Sequence, residues 1–291
     1  MTPLDPRVFI MLALGGGKQS GALAHLVADG EVRPFPKEPE RKWLWEGGDT
    51  PFVAFMADTG WESPETIEYV KRLKKLLPYP IVISDATNDG IKEDHINKGD
   101  KRTTMPFFID KLDGSAPGRV MQKCTSEYKA KVIERWMRRE LVGLEFRQRI
   151  PKNVEIYQMR GISTDEASRM KPHPWLKMRY PLCMELRMSR NDCVRWLQDR
   201  GLEVPIRSAC LGCPNRGPDE WMEMKRERPD EFNQVVRWER EFQKVNHGGL
   251  DGMPYLHRSL KPIDQVDFDA AKTAGQGDMF PDGCDGGMCG L

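Results

Sequence analysis

The chain has 291 residues, 45 Lys and Arg against 44 Asp and Glu, a formal net charge of +1 and 39% hydrophobic residues. This is the composition of a soluble globular protein long enough to bury a substantial core. It excludes binding of nucleic acid by overall charge, so any such site must come from local clustering, and no apolar run is long enough for a membrane-spanning helix.

The start, MTPLDPRVFIMLAL, carries Asp5 and Arg7 beside a short apolar run and lacks the basic start and cleavage site of a signal peptide. A cytoplasmic location is expected. In that compartment seven cysteines point to metal or redox chemistry rather than to a disulfide framework. RVFIMLAL (7–14) reads as a buried parallel strand and SGALAHLVADG (20–30) as the helix after it, stopped by Gly30. After a Pro- and Gly-rich excursion, PFVAFMAD (51–58) is a second buried strand. SPETIEYVKRLKKLL (63–77) has a helix start, with Ser63 as cap and Pro64 in the first position. PIVISD (80–85) is a third strand, and 86–120 reads as a long loop region with short helices. A helix over 126–141, a strand over 154–162, a helix over 189–201 and a polar helix over 219–243 interrupted at Pro229 follow, then a Gly-rich tail. Strands alternating with helices predict an α/β fold, a parallel sheet with helices on both faces, plus a helical cysteine-bearing C-terminal part. The expected division is 1–180, 181–270 and a tail at 271–291.

The stretch Leu12-Ala-Leu-Gly-Gly-Gly-Lys-Gln-Ser-Gly21 looks built to hold phosphate. It is not a Walker A loop, because Leu12 stands where the first Gly belongs and Gln19 where Ser or Thr must follow Lys18. It is not a dinucleotide fingerprint, which needs Gly or Ala where Ser20 stands. Glycines let backbone N–H groups approach an anion, the next helix points its positive end at it, Lys18 adds charge and Ser20 a hydroxyl. The alternative is an ordinary Gly-rich turn between strand and helix.

Gly15-Gly-Gly-Lys-Gln-Ser20 resembles the Ser-Gly-Gly-Lys-Asp-Ser loop of the ATP pyrophosphatases, with Gly15 and Gln19 as departures. FMADTGWESPETIEYV, KCTSEYKAKVI, GISTDEASR and CLGCP follow in order. Together they resemble the phosphoadenylyl-sulfate reductase-like family of the ATP-pyrophosphatase (PP-loop) superfamily, nearest in motifs to the iron–sulfur sulfurtransferases of DNA phosphorothioation. The resemblance implies an adenine nucleotide alpha hydrolase-like fold. It implies that Gly15, Gly16, Gly17, Lys18, Gln19 and Ser20 hold the pyrophosphate part of a nucleotide, that Asp58 and Thr59 line the adenosine crevice, and that Gly161 and Arg169 form the phosphate-contacting segment. Lys18, Ser20, Asp58 and Arg169 are then the catalytic candidates, Arg169 neutralising charge as pyrophosphate leaves.

Cys210-Leu-Gly-Cys213 can grip one metal or two cluster irons, and needs further ligands. Family members with a cluster often place one at Cys124. Cys193 is preferred to Cys183 for the fourth, both being alternatively small buried apolar residues. The resemblance favours a [4Fe-4S] cluster, with Zn2+ as the alternative. Cys284 and Cys289 lie in GCDGGMCGL, which is similar to the mobile tail of sulfonucleotide reductases. Here Met288 replaces its Glu, and no His follows. Cys289 is a candidate nucleophile or sulfur relay, or else part of a frayed end.

Lys129, Lys131, Arg135, Arg138, Arg139, Arg147 and Arg149 surround Trp136, and Arg169, Lys171, Lys177 and Arg179 interleave with His173 and Trp175. Such clusters can track phosphates and stack bases, or can be solvated helix faces. The reading is an ATP- and Mg2+-dependent sulfurtransferase that adenylates tRNA or DNA and inserts sulfur. Its expected partners are a sulfur donor such as a cysteine desulfurase and a second copy in a homo-oligomer, and no membrane. The alternatives are a sulfonucleotide reductase and a catalytically idle nucleotide-binding regulator.

Overall fold

The computed structural model describes residues 7–35, 37–38, 41–84, 90–97, 104–111, 113–245 and 250–273. Strands β1 (Arg7–Ala13), β2 (Phe52–Met56), β3 (Ile81–Ile83), β6 (Val154–Arg160) and β7 (Lys177–Arg179) form one sheet in the order β3-β2-β1-β6-β7, every pair parallel. Both faces are covered, as a parallel sheet requires. Ile10, Leu12, Ala54, Met56 and Met159 point into a core shared with α1 (Lys18–Ala28), α2 (Pro64–Leu76) and α6 (Arg190–Asp199). Their alternates Met11, Ala13, Val53, Phe55 and Ile156 face Ile133 and Met137 on the other side. The fold is therefore α/β, with a parallel sheet between helices, and among the described residues no helix is long and apolar enough to cross a membrane.

Ser63 and Pro64 start α2 where the sequence places them, with Ser63 extended and Pro64 at the first position. The helix read over 126–141 is α-helical only at α4 (Lys131–Trp136). Thr125–Ala130 and Met137–Leu141 on either side wind as π-helix.

The stretch 86–120, read as a long loop region with short helices, has a short helix but also two strands that the reading lacks. It holds α3 (Ile91–Asn97), β4 (Phe108–Lys111) and β5 (Gly118–Arg119). β4 pairs antiparallel with β5 and with β8 (Gly252–Tyr255), closing a second, three-stranded sheet. A second core gathers Trp61, Ile91, Met105, Phe107 and Ile109 with Leu211, Trp221, Phe232, Trp238 and Phe242. Most of its later members sit on α7 (Pro218–Glu227) and α8 (Pro229–Phe242). The two cores do not divide at residue 180, since Leu182 of α5 (Pro181–Met184) and Leu197 pack in the first. The last element among the described residues is α9 (Phe268–Thr273).

Glu239 and His257 are among the buried titratable groups of this second unit. Glu239 accepts the Leu256 and Ile263 N–H groups at 2.9 and 2.6 Å, and burial pushes its pKa up to about 7. His257 accepts from Ser259 N–H, and burial, helped by Arg258, lowers its pKa to about 4. A histidine depressed in the folded state stabilises above its unfolded pKa, and that stability is lost as pH falls from about 6.5 to about 4. Glu239 acts in the opposite sense, stability falling as pH rises from about 4.5 to about 7. Urea titrations of wild type and His257→Gln should therefore diverge on acidification. The variant gains about 2 kcal/mol on wild type between pH 6.5 and 4. Parallel pH curves would show that His257 is not held neutral by the fold.

Candidate functional site

Ligands of an open parallel sheet bind at the carboxyl ends of its strands, where the strand order reverses. Here that point lies between β1 and β6. Leu14 to Gly17 leave β1 there, and Gly17 caps α1 with no side chain bonded to its first N–H groups and no acid in its first turn. Among the described residues no side chain caps the positive end of α1, which favours an anion there. Lys18 begins the helix, and the Ser20 hydroxyl donates to the Gly17 carbonyl at 3.2 Å.

From the neighbouring strand, Gly161 lies flat against this loop. A Cβ on it would stand 2.8 Å from Ser20 N, 2.9 Å from Ser20 Cα and 3.0 Å from Gln19 C, all backbone atoms. Ser163, buried two residues on, accepts from Gln19 Nε2 at 3.4 Å. The fold thus brings Gly15–Ser20 and Gly161 together. Arg169, at the end of the same segment, pairs with the buried Glu166 at 2.8 Å, and Glu166 also receives Arg190 at 2.9 Å.

β2 delivers Asp58 and Thr59 to the same edge. Asp58 Oδ1 accepts from Gly60 N–H at 2.8 Å, and Asp58 N–H donates to Ser84 at 2.9 Å. Both residues line a cavity of about 480 Å3 with Ser84, Tyr128, Arg135, Trp136 and Arg139. The aromatic wall and two guanidinium groups suit a base with attached phosphates, and Glu140 joins Asp58 as a second carboxylate on the lining.

The cysteine turn lies on this edge, which the sequence did not show. Ser208 donates to the Gly15 carbonyl, and two residues later the Cys210 sulfur lies 3.3 Å from the Thr59 hydroxyl. Leu211 N–H donates to the Trp61 carbonyl at 2.9 Å. Gly212 packs on the Trp61 ring so closely that a Cβ would be 2.1 Å from Cη2. Arg216, buried, donates to the carbonyls of Ala209, Cys210 and Leu211 at 3.1–3.3 Å and so clamps the turn.

Cys124, Cys210 and Cys213 are close enough to feel one another's charge: Cys213 acts on both of the others. Burial pushes the Cys124 pKa up to about 11, and it raises Cys210 and Cys213 as well. Among the described residues no three His, Cys, Asp or Glu side chains converge on a single ion. The donor set nevertheless suits an anionic thiolate-bound group. It holds three thiols, Cys213 buried and Cys124 and Cys210 half-buried, and the buried Arg216 spends its hydrogen bonds on carbonyls rather than on a carboxylate. Burial opposes the charge of Lys129, but Glu62 and Cys210 outweigh it and hold the ammonium above its ordinary range.

Cys193 is not brought here. It is fully buried in the first core, its pKa pushed up to about 12 by burial with Asp165 and Asp192 nearby. Cys183 sits on α5, half-buried. Cys284 and Cys289 lie outside the described residues. Sequence reading missed Glu62, Ser208 and Arg216, although Glu62 stands inside the DTGWE stretch at the end of β2.

Much of the basic cluster is internally paired: Lys129 with Glu62, Lys131 with Glu127, Lys177 with Glu155 and Arg179 with Glu185. Arg135 and Arg139 face the cavity. Just beyond, Phe146 is 75% exposed with the Arg147 guanidinium 5.0 Å from its ring centroid. Reversing Arg135 and Arg139 to Glu should weaken binding of a tRNA or single-stranded DNA probe about tenfold or more and flatten its salt dependence, with iron content unchanged. Equal affinity and salt slope in the variant would remove this face from the interaction.

No protein-family model matches the chain, and no curated protein does. Among solved structures it is similar to the U34-tRNA thiolase NcsA from Methanococcus maripaludis with its [4Fe-4S] cluster. The TM-score is 0.39 and the identity 13%, over 84% of this chain and 75% of that chain. A likeness of this degree carries no weight in assigning the chemistry, which rests on the side chains above.

Proposed function

We propose that this chain is a PP-loop sulfurtransferase that uses ATP and Mg2+ to adenylate a nucleic-acid acceptor, tRNA or DNA, releasing pyrophosphate before sulfur displaces AMP. The observation that carries the reading is the seating of the cysteine turn on the glycine loop, through Ser208 on Gly15 and Thr59 on Cys210. A phosphate loop and a thiol cluster on one sheet edge serve a reaction in which an activated ester and a sulfur must meet.

The open N–H groups of α1 and Lys18 take the negative charge of the phosphates. Asp58 and Trp136 border the space for the nucleoside. Arg169 stands in the segment that closes over the loop, its charge oriented by Glu166. Cys124, Cys210 and Cys213 would hold a [4Fe-4S] cluster, which when bound supplies an iron site for sulfur. Thr59 positions Cys210, and Arg216 fixes the turn that carries two of the thiols. A cysteine desulfurase is the class of donor that this chemistry calls for. Cys289 is a candidate relay between donor and site.

The test is nucleotide turnover in anaerobically prepared protein with an acceptor RNA or DNA. AMP and pyrophosphate are the expected products, and ADP with phosphate would defeat the proposal. Lys18→Ala should lower ATP affinity about tenfold to a hundredfold, the worth of one charged hydrogen bond, with the fold intact. Unchanged ATP affinity in that variant would remove the phosphate-loop assignment.

A further inference from the structure

We propose that Glu62 is the fourth protein ligand of the cluster, which rests on the reading of Cys124, Cys210 and Cys213 as the other three. A [4Fe-4S] cluster has four irons to ligate, and of the other cysteines among the described residues, Cys193 and Cys183, neither is placed with the three thiols.

Glu62 is at that site in both backbone and side chain. It forms an isolated antiparallel bridge with Cys210. Its side chain is 1% exposed. Oε1 is fully engaged: it accepts from Lys129 Nζ at 3.0 Å and from the Thr59 hydroxyl at 3.2 Å, and the Cys210 sulfur lies 3.9 Å away. Oε2 is buried and has no hydrogen-bond partner. An unpartnered carboxylate oxygen in the interior is costly, and it calls for an acceptor of its lone pairs. An iron beside Cys210 is such an acceptor, since iron takes carboxylate as well as thiolate.

This arrangement explains the buried ion pair. Lys129 neutralises the carboxylate through one oxygen and leaves the other for the metal, as partners behind a ligand commonly do. It also makes the four positions unequal. Three irons are held by thiolates and one by a harder ligand with a single oxygen, so the iron at Glu62 is the one that exchanges.

The experiment compares anaerobically reconstituted wild type, Glu62→Gln and Cys193→Ala by iron content and by electron paramagnetic resonance of the reduced cluster. Mild ferricyanide oxidation should convert wild type to a [3Fe-4S] form. Glu62→Gln should make the conversion at least about tenfold faster and alter the reduced spectrum, as expected when one ligand is weakened. Cys193→Ala should match wild type in both. Because a buried substitution can unfold the site, a second measurement uses wild type alone, labelled with carbon-13 at its glutamate carboxyls. Pulsed resonance should show hyperfine coupling of a carboxyl carbon to the cluster.

No coupling in labelled wild type, or an unaltered spectrum and iron loss in Glu62→Gln, overturns the inference while leaving the three-thiol reading in place. Altered iron loss in Cys193→Ala also overturns it, by returning the fourth position to that cysteine. A wild type that takes up no cluster overturns the cluster reading and this inference with it.

Discussion

Serine at position 213 should abolish iron uptake, if Cys213 is the cluster ligand proposed above. Cys213 is buried, stands in a four-residue turn with Cys210 and acts electrostatically on Cys124 as well, and among the described residues no further thiol is placed beside these three. Losing one of three thiolates leaves too few ligands, and metal binding is coupled to local folding. Anaerobic Cys213→Ser should fall from about four irons per chain to less than about one. Cys210→Ser should do the same, while Cys193→Ala keeps its iron. Full iron content in either serine variant would defeat the ligand assignment.

Alanine at position 161 should nearly abolish pyrophosphate release while leaving the protein folded. The added methyl meets Ser20 N, Ser20 Cα and Gln19 C within 3.0 Å, and backbone cannot rotate away as a side chain can. Either the end of β6 or the glycine loop must move by roughly 0.6 Å or more to bring these contacts back to an ordinary 3.4–4 Å. Such a displacement at positioned reacting groups costs on the order of a hundredfold in rate. The packing strain itself costs about 1–3 kcal/mol. Unaltered turnover in Gly161→Ala would mean that the loop does not hold the reacting phosphates.

The contrast between Gly161 and Glu62 marks what was legible in the sequence. β1, β2 and β6 announce themselves as continuous apolar runs, because parallel strands are buried on both faces. The Gly15–Ser20 loop and Asp58 follow from position, since each ends such a run. The second sheet was illegible. β4 and β5 are only four and two residues long, and β4's other partner, β8, lies beyond residue 250, so no local alternation marks any of them. The site around Cys210 was only half legible. The spacing of Cys210 and Cys213 is a local signal, whereas Glu62, Ser208 and Arg216 acquire their roles only through contacts across the fold. Cys193 illustrates the converse. Its nearness in sequence to the turn suggested a ligand, but it lies on the α6 face that packs against α1, where a thiol behaves as a small hydrophobe.

The bond between Ser208 and Gly15 joins residues 193 apart in the chain. During synthesis at roughly 5–20 residues per second, the glycine loop is therefore exposed for roughly 10–40 seconds before the segment that covers it is made. β1 also waits for β6, its most extensive partner, and contacts so distant in sequence form slowly. The nascent chain passes through a stage in which an apolar central strand and an anion-binding loop stand open together. Cys210 and Cys213 arrive on the covering segment itself, so under the proposed cluster reading no iron can be taken up before that stage ends. The order is set by the chain's own connectivity, with covering of the glycine loop and arrival of Cys210 and Cys213 occurring as one late event.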